Sequence, residues 1–218
     1  TEEQKREWVP PAIRGETMWC QLFSEPAAGS DLAGVRLRAV RDGDNWILNG
    51  QKVWNSYAQY SDYGILVARH DPSLPKHEGL TYFIVDLRAP GVEVRPIKLL
   101  TGHSDFNEVF FNDVVIPDSY RLGKVGDGFK IAIQTLMLER YTGADESAFG
   151  PSLDDFVRRL GEAECNGRPA LESDLVRNEI AEWMILQGGI RAIQSKALAA
   201  IERGAAPGPE ASIFKPLL

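Results

Sequence analysis

Between residues 24 and 31 the chain runs Ser24-Glu25-Pro26-Ala27-Ala28-Gly29-Ser30-Asp31. Ser24 and Ser30 supply hydroxyls, and Gly29 permits a left-handed or close-approach backbone. Exposed amides near Gly29 and Ser30 can therefore hold a phosphate or the edge of a polar ring. A plain polar turn fits the same residues, because short Gly/Ser loops are common. Further on, Trp54 and Ser56 pair an aromatic ring with a hydroxyl. Taken alone, Trp54 reads as a core aromatic on an alternating strand, whose indole N–H needs an acceptor when buried.

Other chemistry-bearing types lack productive spacing. Asp154 and Asp155 stand four residues before Arg158 and Arg159, the interval of helix ion pairs. With Glu162 and Glu164 they read as a solvated helix face. His70, His77 and His103 show no zinc spacing, and no metal site is expected. Cys20 and Cys165 form no paired motif; they read as reduced thiols of a cytoplasmic protein, with a single disulfide left open.

The 218 residues are 44% apolar and 25% charged, an ordinary globular composition. A formal charge of -7 argues against a general nucleic-acid binder but leaves room for a locally positive pocket. No apolar run approaches the roughly 20 residues that span a bilayer, so no membrane segment is expected. Residues Thr1–Glu7 are polar and charged, and no signal peptide is visible.

The elements that must position the loop are mostly strands. Residues 18–23 read as a strand ending at it. Val35, Leu37 and Ala39 alternate with arginines, the period of a half-buried strand. A turn at Asp42–Asn45 and a return over Trp46–Val53 complete a hairpin. Gly64–Ala68, Thr81–Leu87, Val92–Ile97 and Glu108–Val115 extend the set, punctuated by prolines. After Gly128 the period becomes helical: Phe129, Ile133, Leu136 and Met137 share one face. Asp154–Glu164 is a shorter helix. Val176 to Ile201 is a longer one, stopped by Gly204 with Pro207 beyond, and Gly188-Gly189 suggests close packing. Thr1–Trp8 reads as a helix end cut off by Pro10 and Pro11.

These residues predict an α+β fold: an antiparallel β-sandwich or barrel-like middle domain followed by a partial helical bundle. The expected division is a stub of an N-terminal helical region over 1–17, a β-rich domain over 18–124 and a partial C-terminal helical domain over 125–218.

Five stretches in order resemble the acyl-CoA dehydrogenase family. Glu-Pro-x-Ala-Gly-Ser-Asp after a short strand is similar to its flavin-binding signature. Asn49-Gly50-Gln51-Lys52-Val53-Trp54-Asn55-Ser56 resembles its second flavin strand. Gly102–Phe111, with Phe110 to Pro117, resembles its edge strand and exit. Gly123–Gly128 resembles the linker into its helical domain, and Leu138-Glu139-Arg140 the start of that domain. The resemblance covers roughly residues 18–143 well and the remainder weakly. Its Arg-x-x-Phe-Gly segment is not recognisable; Asn166-Gly167-Arg168-Pro169 lies about where it belongs.

The resemblance implies FAD as cofactor and α,β-dehydrogenation of an acyl-CoA thioester. It assigns Gln21, Phe23 and Ser24 to the flavin ring, and Gly29 and Ser30 to the cofactor pyrophosphate and the thioester end of the substrate. Trp54 becomes an aromatic wall of the ring and Ser56 its hydrogen-bonding neighbour. Glu139 matches the general base of some members; in others the base lies much later, beyond Leu218. Arg140 lies near the coenzyme-A portion. Electron-transfer flavoprotein or another acceptor, and a homo- or hetero-oligomer, are the implied partners. The flanking helical regions look incomplete, so the expected form is a fragment or incomplete subunit of such an enzyme. The alternative is a non-catalytic flavin-binding or assembly subunit. A third reading is a flavin oxidase or monooxygenase on the same scaffold.

Overall fold

The computed structural model describes residues 1–142 and 152–204. The chain divides into two compact units, Thr1–Ile133 and Gln134–Leu218.

The first unit opens with helix α1 (Glu2–Ile13), started by a capping box between Thr1 and Gln4. Pro10 and Pro11 do not end it, contrary to expectation; they lie inside it. Their carbonyls accept from Arg14 N and Glu16 N and close the last turn. Packing offsets the two missing donors: the Trp8 ring meets Trp19, Tyr63 and Tyr120 edge-on at 4.9–5.7 Å.

Eight strands follow: β1 (Trp19–Leu22), β2 (Arg38–Asp42), β3 (Asn45–Ser56), β4 (Tyr63–Arg69), β5 (Leu80–Asp86), β6 (Val92–Ile97), β7 (Phe106–Pro117) and β8 (Arg121–Leu122). They form one sheet in the order β6-β7-β3-β2-β4-β5-β8, with β1 parallel to β4. The remaining ladders are antiparallel, except for a single parallel pair, Arg38↔Arg69, that joins β2 to β4. At that weak seam the sheet folds over. Trp46 of β3 and Phe83 of β5 are not strand neighbours, yet their rings meet at 5.2 Å. Leu48, Val109 and Val114 from one arm and Leu66, Phe83 and Val85 from the other fill the core between. The result is sandwich-like and open, not a closed barrel, since β6 and β8 remain as ends. Trp46 finds its acceptor at the core's rim, Asp118 Oδ1 at 2.7 Å. Arg121 grips the same carboxylate at 2.8 and 2.9 Å. Arg121 first, then the indole, holds the Asp118 carboxyl far below the usual carboxylate range.

Two expectations about strands need correction. Residues 35–37 alternate in burial but belong to no strand. Their backbone bonds go elsewhere: Arg36 N and Leu37 N donate to the Glu25 carboxylate, and Leu37 O accepts from Arg69 N. β7, expected as an edge strand, is interior, with β6 covering one side and β3 the other.

Helix α2 (Gly128–Thr142) begins where Gly128 lies against β5; a Cβ there would come within 2.5 Å of Thr81 N. The second unit contains α3 (Leu153–Gly161), a hairpin of β9 (Glu164–Cys165) and β10 (Arg168–Pro169), and α4 (Asp174–Glu202). The stretch Asn166-Gly167 is the hairpin's turn, with φ of 54° and 75°, as an Asn-Gly turn between two-residue strands requires. Asp155 pairs with Arg158 on the exposed face of α3. On α4, Ile180 and Ala197 are buried, and Trp183 meets Phe156 at 5.5 Å. Among the described residues, a Cβ on Gly188 or Gly189 would meet nothing within 4 Å. Gly204 ends α4 in the left-handed region at φ 78°, and Pro207 lies outside the described residues. Both cysteines are free; burial pushes the Cys20 thiol up to about 11, while Cys165 is exposed. Among the described residues no helix is long and apolar enough to cross a membrane.

Candidate functional site

Four hydrogen bonds fasten the segment 21–25 along β3. Asn55 Nδ2 donates to Gln21 O at 2.8 Å, and Lys52 Nζ to Phe23 O at 2.9 Å. Val53 N donates to Ser24 O at 2.9 Å, and Lys52 Nζ also reaches Glu25 Oε1 at 2.8 Å. Loop and strand, separated by a hairpin in sequence, are thus one structural piece.

The Glu25–Lys52 pair is the centre of that piece. The Lys52 side chain is 0% exposed and that of Glu25 7%. Lys52 shares the inward parity of Trp46 and Leu48, so its charge has to be met inside. Burial pushes its ammonium down to about 8, against the upward pull of the Glu25 charge. Glu25 in turn accepts from Arg36 N and Leu37 N at 2.6 and 2.9 Å. Reciprocal bonds between Glu25 and Ala28 then close the tight turn over Pro26-Ala27. The carboxylate therefore ties the start of the loop to β3 and to the segment at 36–37.

Past Lys52, β3 bulges. Between the pairs Lys52↔Val109 and Asn55↔Asn107, two residues, Val53 and Trp54, oppose the single residue Glu108. The extra residue inverts the alternation. Asn55 turns inward, 2% exposed, while Trp54 and Ser56 turn outward. Trp54 is 58% exposed, so the core-aromatic reading fails, and its ring touches Phe106 edge-on at 6.1 Å. It achieves this at φ 61°, a left-handed backbone that costs a bulky residue about 1–3 kcal/mol. Strain of this kind marks a place where the side chain's direction matters more than stability.

The loop's tip faces outward as well. Gly29 and Ser30 are exposed, and among the described residues their amides donate to no partner. Gly29 is not left-handed, correcting one of its two expected uses, and a Cβ on it would meet no atom within 4 Å. The chain's own packing does not call for glycine there; an external group lying close to the backbone would. Free amides, the Ser24 and Ser30 hydroxyls and an outward indole suit a phosphate-bearing ligand with a flat ring. Inside, the Oδ1 atoms of Asn55 and Asn107 are buried without a hydrogen-bond partner among the described residues.

The other expected residues lie on α2. Glu139 has an exposed side chain, in the second unit. The Arg140 side chain lies outside the described residues. Among the described residues no three His, Cys, Asp or Glu side chains are grouped to hold a metal.

Residues 20–114 match the family model for the acyl-CoA dehydrogenase middle domain, and residues 126–217 match that for its C-terminal domain. The chain belongs to the acyl-CoA dehydrogenase family. It is 42% identical to acyl-CoA dehydrogenase FadE34 of Mycobacterium tuberculosis over 99% of its own length and 29% of the relative's. The solved Tcur3481-Tcur3483 steroid ACAD is 30% identical, with a TM-score of 0.80, covering 100% of this chain and 55% of that one. The ChsE4-ChsE5 complex from Mycobacterium tuberculosis is 29% identical at a TM-score of 0.78, over 100% and 56%. The chain thus spans under a third of FadE34 and little over half of each of the two solved chains.

Within this family fold, sequence reading missed Glu25, Lys52 and Asn55 as site-building residues. Lysine on the core-facing parity of β3 was the available signal, because a buried ammonium demands a carboxylate.

The strain at Trp54 yields a prediction. Trp54→Gly removes the ring and relieves the left-handed backbone, so unfolding free energy should stay within about 1 kcal/mol of the parent. FAD affinity, followed by fluorescence on titration, should nonetheless fall tenfold or more. Undiminished affinity in the folded variant means that the outward indole serves something other than the cofactor.

Proposed function

We propose that the protein is an FAD-dependent oxidoreductase that dehydrogenates acyl-CoA thioesters between the α and β carbons. The observation that carries this reading is the fastening of loop 24–31 to the bulged end of β3, within an acyl-CoA dehydrogenase fold. Gln21, Phe23 and Ser24 present the edge of the ring site. Gly29 and Ser30 hold the pyrophosphate with free amides and a hydroxyl, and Ser30 also meets the thioester end of the substrate. Trp54 walls the ring and Ser56 hydrogen-bonds beside it. When bound, the cofactor supplies a hydride acceptor for the substrate's β carbon.

Glu139 removes the α-proton onto its carboxylate, and Arg140 lies toward the coenzyme-A portion. A general base of this kind must work from the face of the substrate opposite the hydride acceptor. Electrons then pass to electron-transfer flavoprotein or another acceptor. Association into a homo- or hetero-oligomer accompanies this reading. Along α4, Trp183, Met184, Ile185 and Leu186 are 49–74% exposed, an apolar stretch that water disfavours. Two solved relatives are themselves named as two-component proteins.

Ser30→Asp tests the cofactor assignment. It sets a negative charge beside the assigned pyrophosphate position on an exposed turn, where folding is undisturbed. FAD retention on gel filtration should drop sharply while the melting temperature holds. Full retention rejects the assignment of this loop.

A further inference from the structure

Trp54 is not alone in its strain. Tyr57, three residues on, is also left-handed at φ 55°, and neither residue is glycine. Backbone of this kind persists only where its surroundings over-determine it. The bonds that do so converge on a side chain with no part in the proposed chemistry, Asn107 of β7.

Asn107 is 0% exposed and stands directly opposite Asn55 in the ladder, the first pair after the bulge. Its Nδ2 has two hydrogens and two acceptors. One is Asn55 O at 3.0 Å, the carbonyl of the residue that follows Trp54. The other is Gln59 Oε1, in the short helical turn Ala58–Tyr60. Gln59 Nε2 donates onward to Ser104 O at 2.6 Å, and Tyr57 N to Asp105 O at 2.8 Å. On the other side Asn55 Nδ2 reaches Gln21 O in β1. Each run of amides ends on a backbone carbonyl, which can only accept, so the orientation of all three amides is set. Turning Asn107 over would put its oxygen against two acceptors.

The neighbours of Asn107 complete the template. Phe106 carries the ring that Trp54 touches, and Glu108, which the bulge spans, accepts from Gln51 Nε2 at 2.7 Å. Leucine would fill the interior place of Asn107 with no polar group to satisfy. Asparagine leaves its Oδ1 buried there with no hydrogen-bond partner among the described residues, a cost to the core. The amide is therefore explained by where its donors go and not by packing. Regular alternation from Lys52 would point residue 54 inward. The bulge turns it out, and Asn107 holds the backbone on the bulge's far side.

We infer that Asn107 is a positioning residue for the flavin site: through Asn55 O and Gln59 it locks the segment 54–59 in the backbone that turns the Trp54 indole outward. Its consequence for the cofactor rests on the function proposed above, whereas the locking itself belongs to the chain alone.

The test is fluorine NMR of flavin-free protein labelled with fluorotryptophan, comparing the parent with Asn107→Ala and Gln59→Ala. Of the five tryptophan signals, that of Trp54 is the one that Trp54→Gly removes. In Asn107→Ala it should lose its solvent isotope shift or split in two, while those of Trp8, Trp19, Trp46 and Trp183 hold their positions. FAD affinity, titrated separately, should fall about tenfold. In the Trp54→Gly background the same substitution should change it less than about threefold, because Asn107 acts through that ring. Gln59→Ala, at a half-buried position, removes one of the two acceptors. It should move the Trp54 signal the same way and by less, and it decides the matter if Asn107→Ala does not fold. A Trp54 signal unmoved in the folded variants overturns the inference. So does a loss of FAD affinity equally large with and without the indole, which would make Asn107 a brace of the sheet only. A parent that binds no flavin would sink the cofactor reading alone, since the NMR comparison needs none.

Discussion

Replacing Glu25 with alanine should lower the unfolding free energy by about 3–5 kcal/mol, the cost of leaving one partner of a buried ion pair alone. Lys52 would remain fully enclosed with only Phe23 O to accept from it. Arg36 N and Leu37 N would lose their acceptor too, releasing the segment that runs into β2. Chemical denaturation with matched slopes measures the loss. Adding Lys52→Met to Glu25→Ala should recover much of it, because the orphaned charge is then gone. A double variant no more stable than the single one would mean that the deficit is a cavity and not a buried charge. FAD retention should fall in the single variant even where it folds, since the loop loses its side-chain ties to Lys52 and to the segment at 36–37.

The same pair sets a pH dependence. Lys52 titrates near 8 in the folded protein, below the ordinary lysine value of 10.5. Between those values the unfolded chain binds the extra proton, so Lys52's contribution raises stability as pH rises from about 8 to 10.5. Removing Glu25 removes an upward pull and moves the folded value lower still. The deficit of Glu25→Ala should therefore shrink as pH approaches about 8 and level off above it. A deficit independent of pH would place the pair's energy in packing.

Glu139→Gln should leave substrate binding intact and slow flavin reduction by acyl-CoA about 10²–10⁴-fold, the range for loss of a positioned general base. The substitution keeps size and hydrogen bonding but cannot accept the proton. Stopped-flow absorbance on the FAD-loaded protein separates binding from reduction. Reduction within a few-fold of the parent would make Glu139 an ordinary helix residue and place the base elsewhere in the protein.

Strands were legible in the sequence because burial on one face writes itself as alternation. Val92–Ile97 is an observed strand without adjustment, and the hairpin at Asp42–Asn45 stands where its turn residues put it. What alternation cannot report is where the backbone bonds go. Val35 and Leu37 alternate like a strand, yet a glutamate side chain takes the place of the neighbouring strand. At Trp54, parity along β3 points the ring inward, and only the register against β7, more than fifty residues away, reveals the bulge that turns it out. The prolines of α1 misled for a related reason: local propensity marked a stop, and an aromatic cluster assembled from distant residues overrode it. The flavin-signature loop was legible as a motif, while the buried ion pair that shapes it joins two segments that local pattern treats separately.

The central claim, that this is a flavin-dependent acyl-CoA oxidising protein, is tested most directly by an absorption spectrum. Purified protein incubated with FAD and freed of excess should show the bands of bound oxidised flavin. Anaerobic addition of acyl-CoA thioesters, over a range of chain lengths, should bleach those bands with at least one of them. Protein that retains no flavin, or flavin bands that persist unchanged with every thioester, would contradict the account.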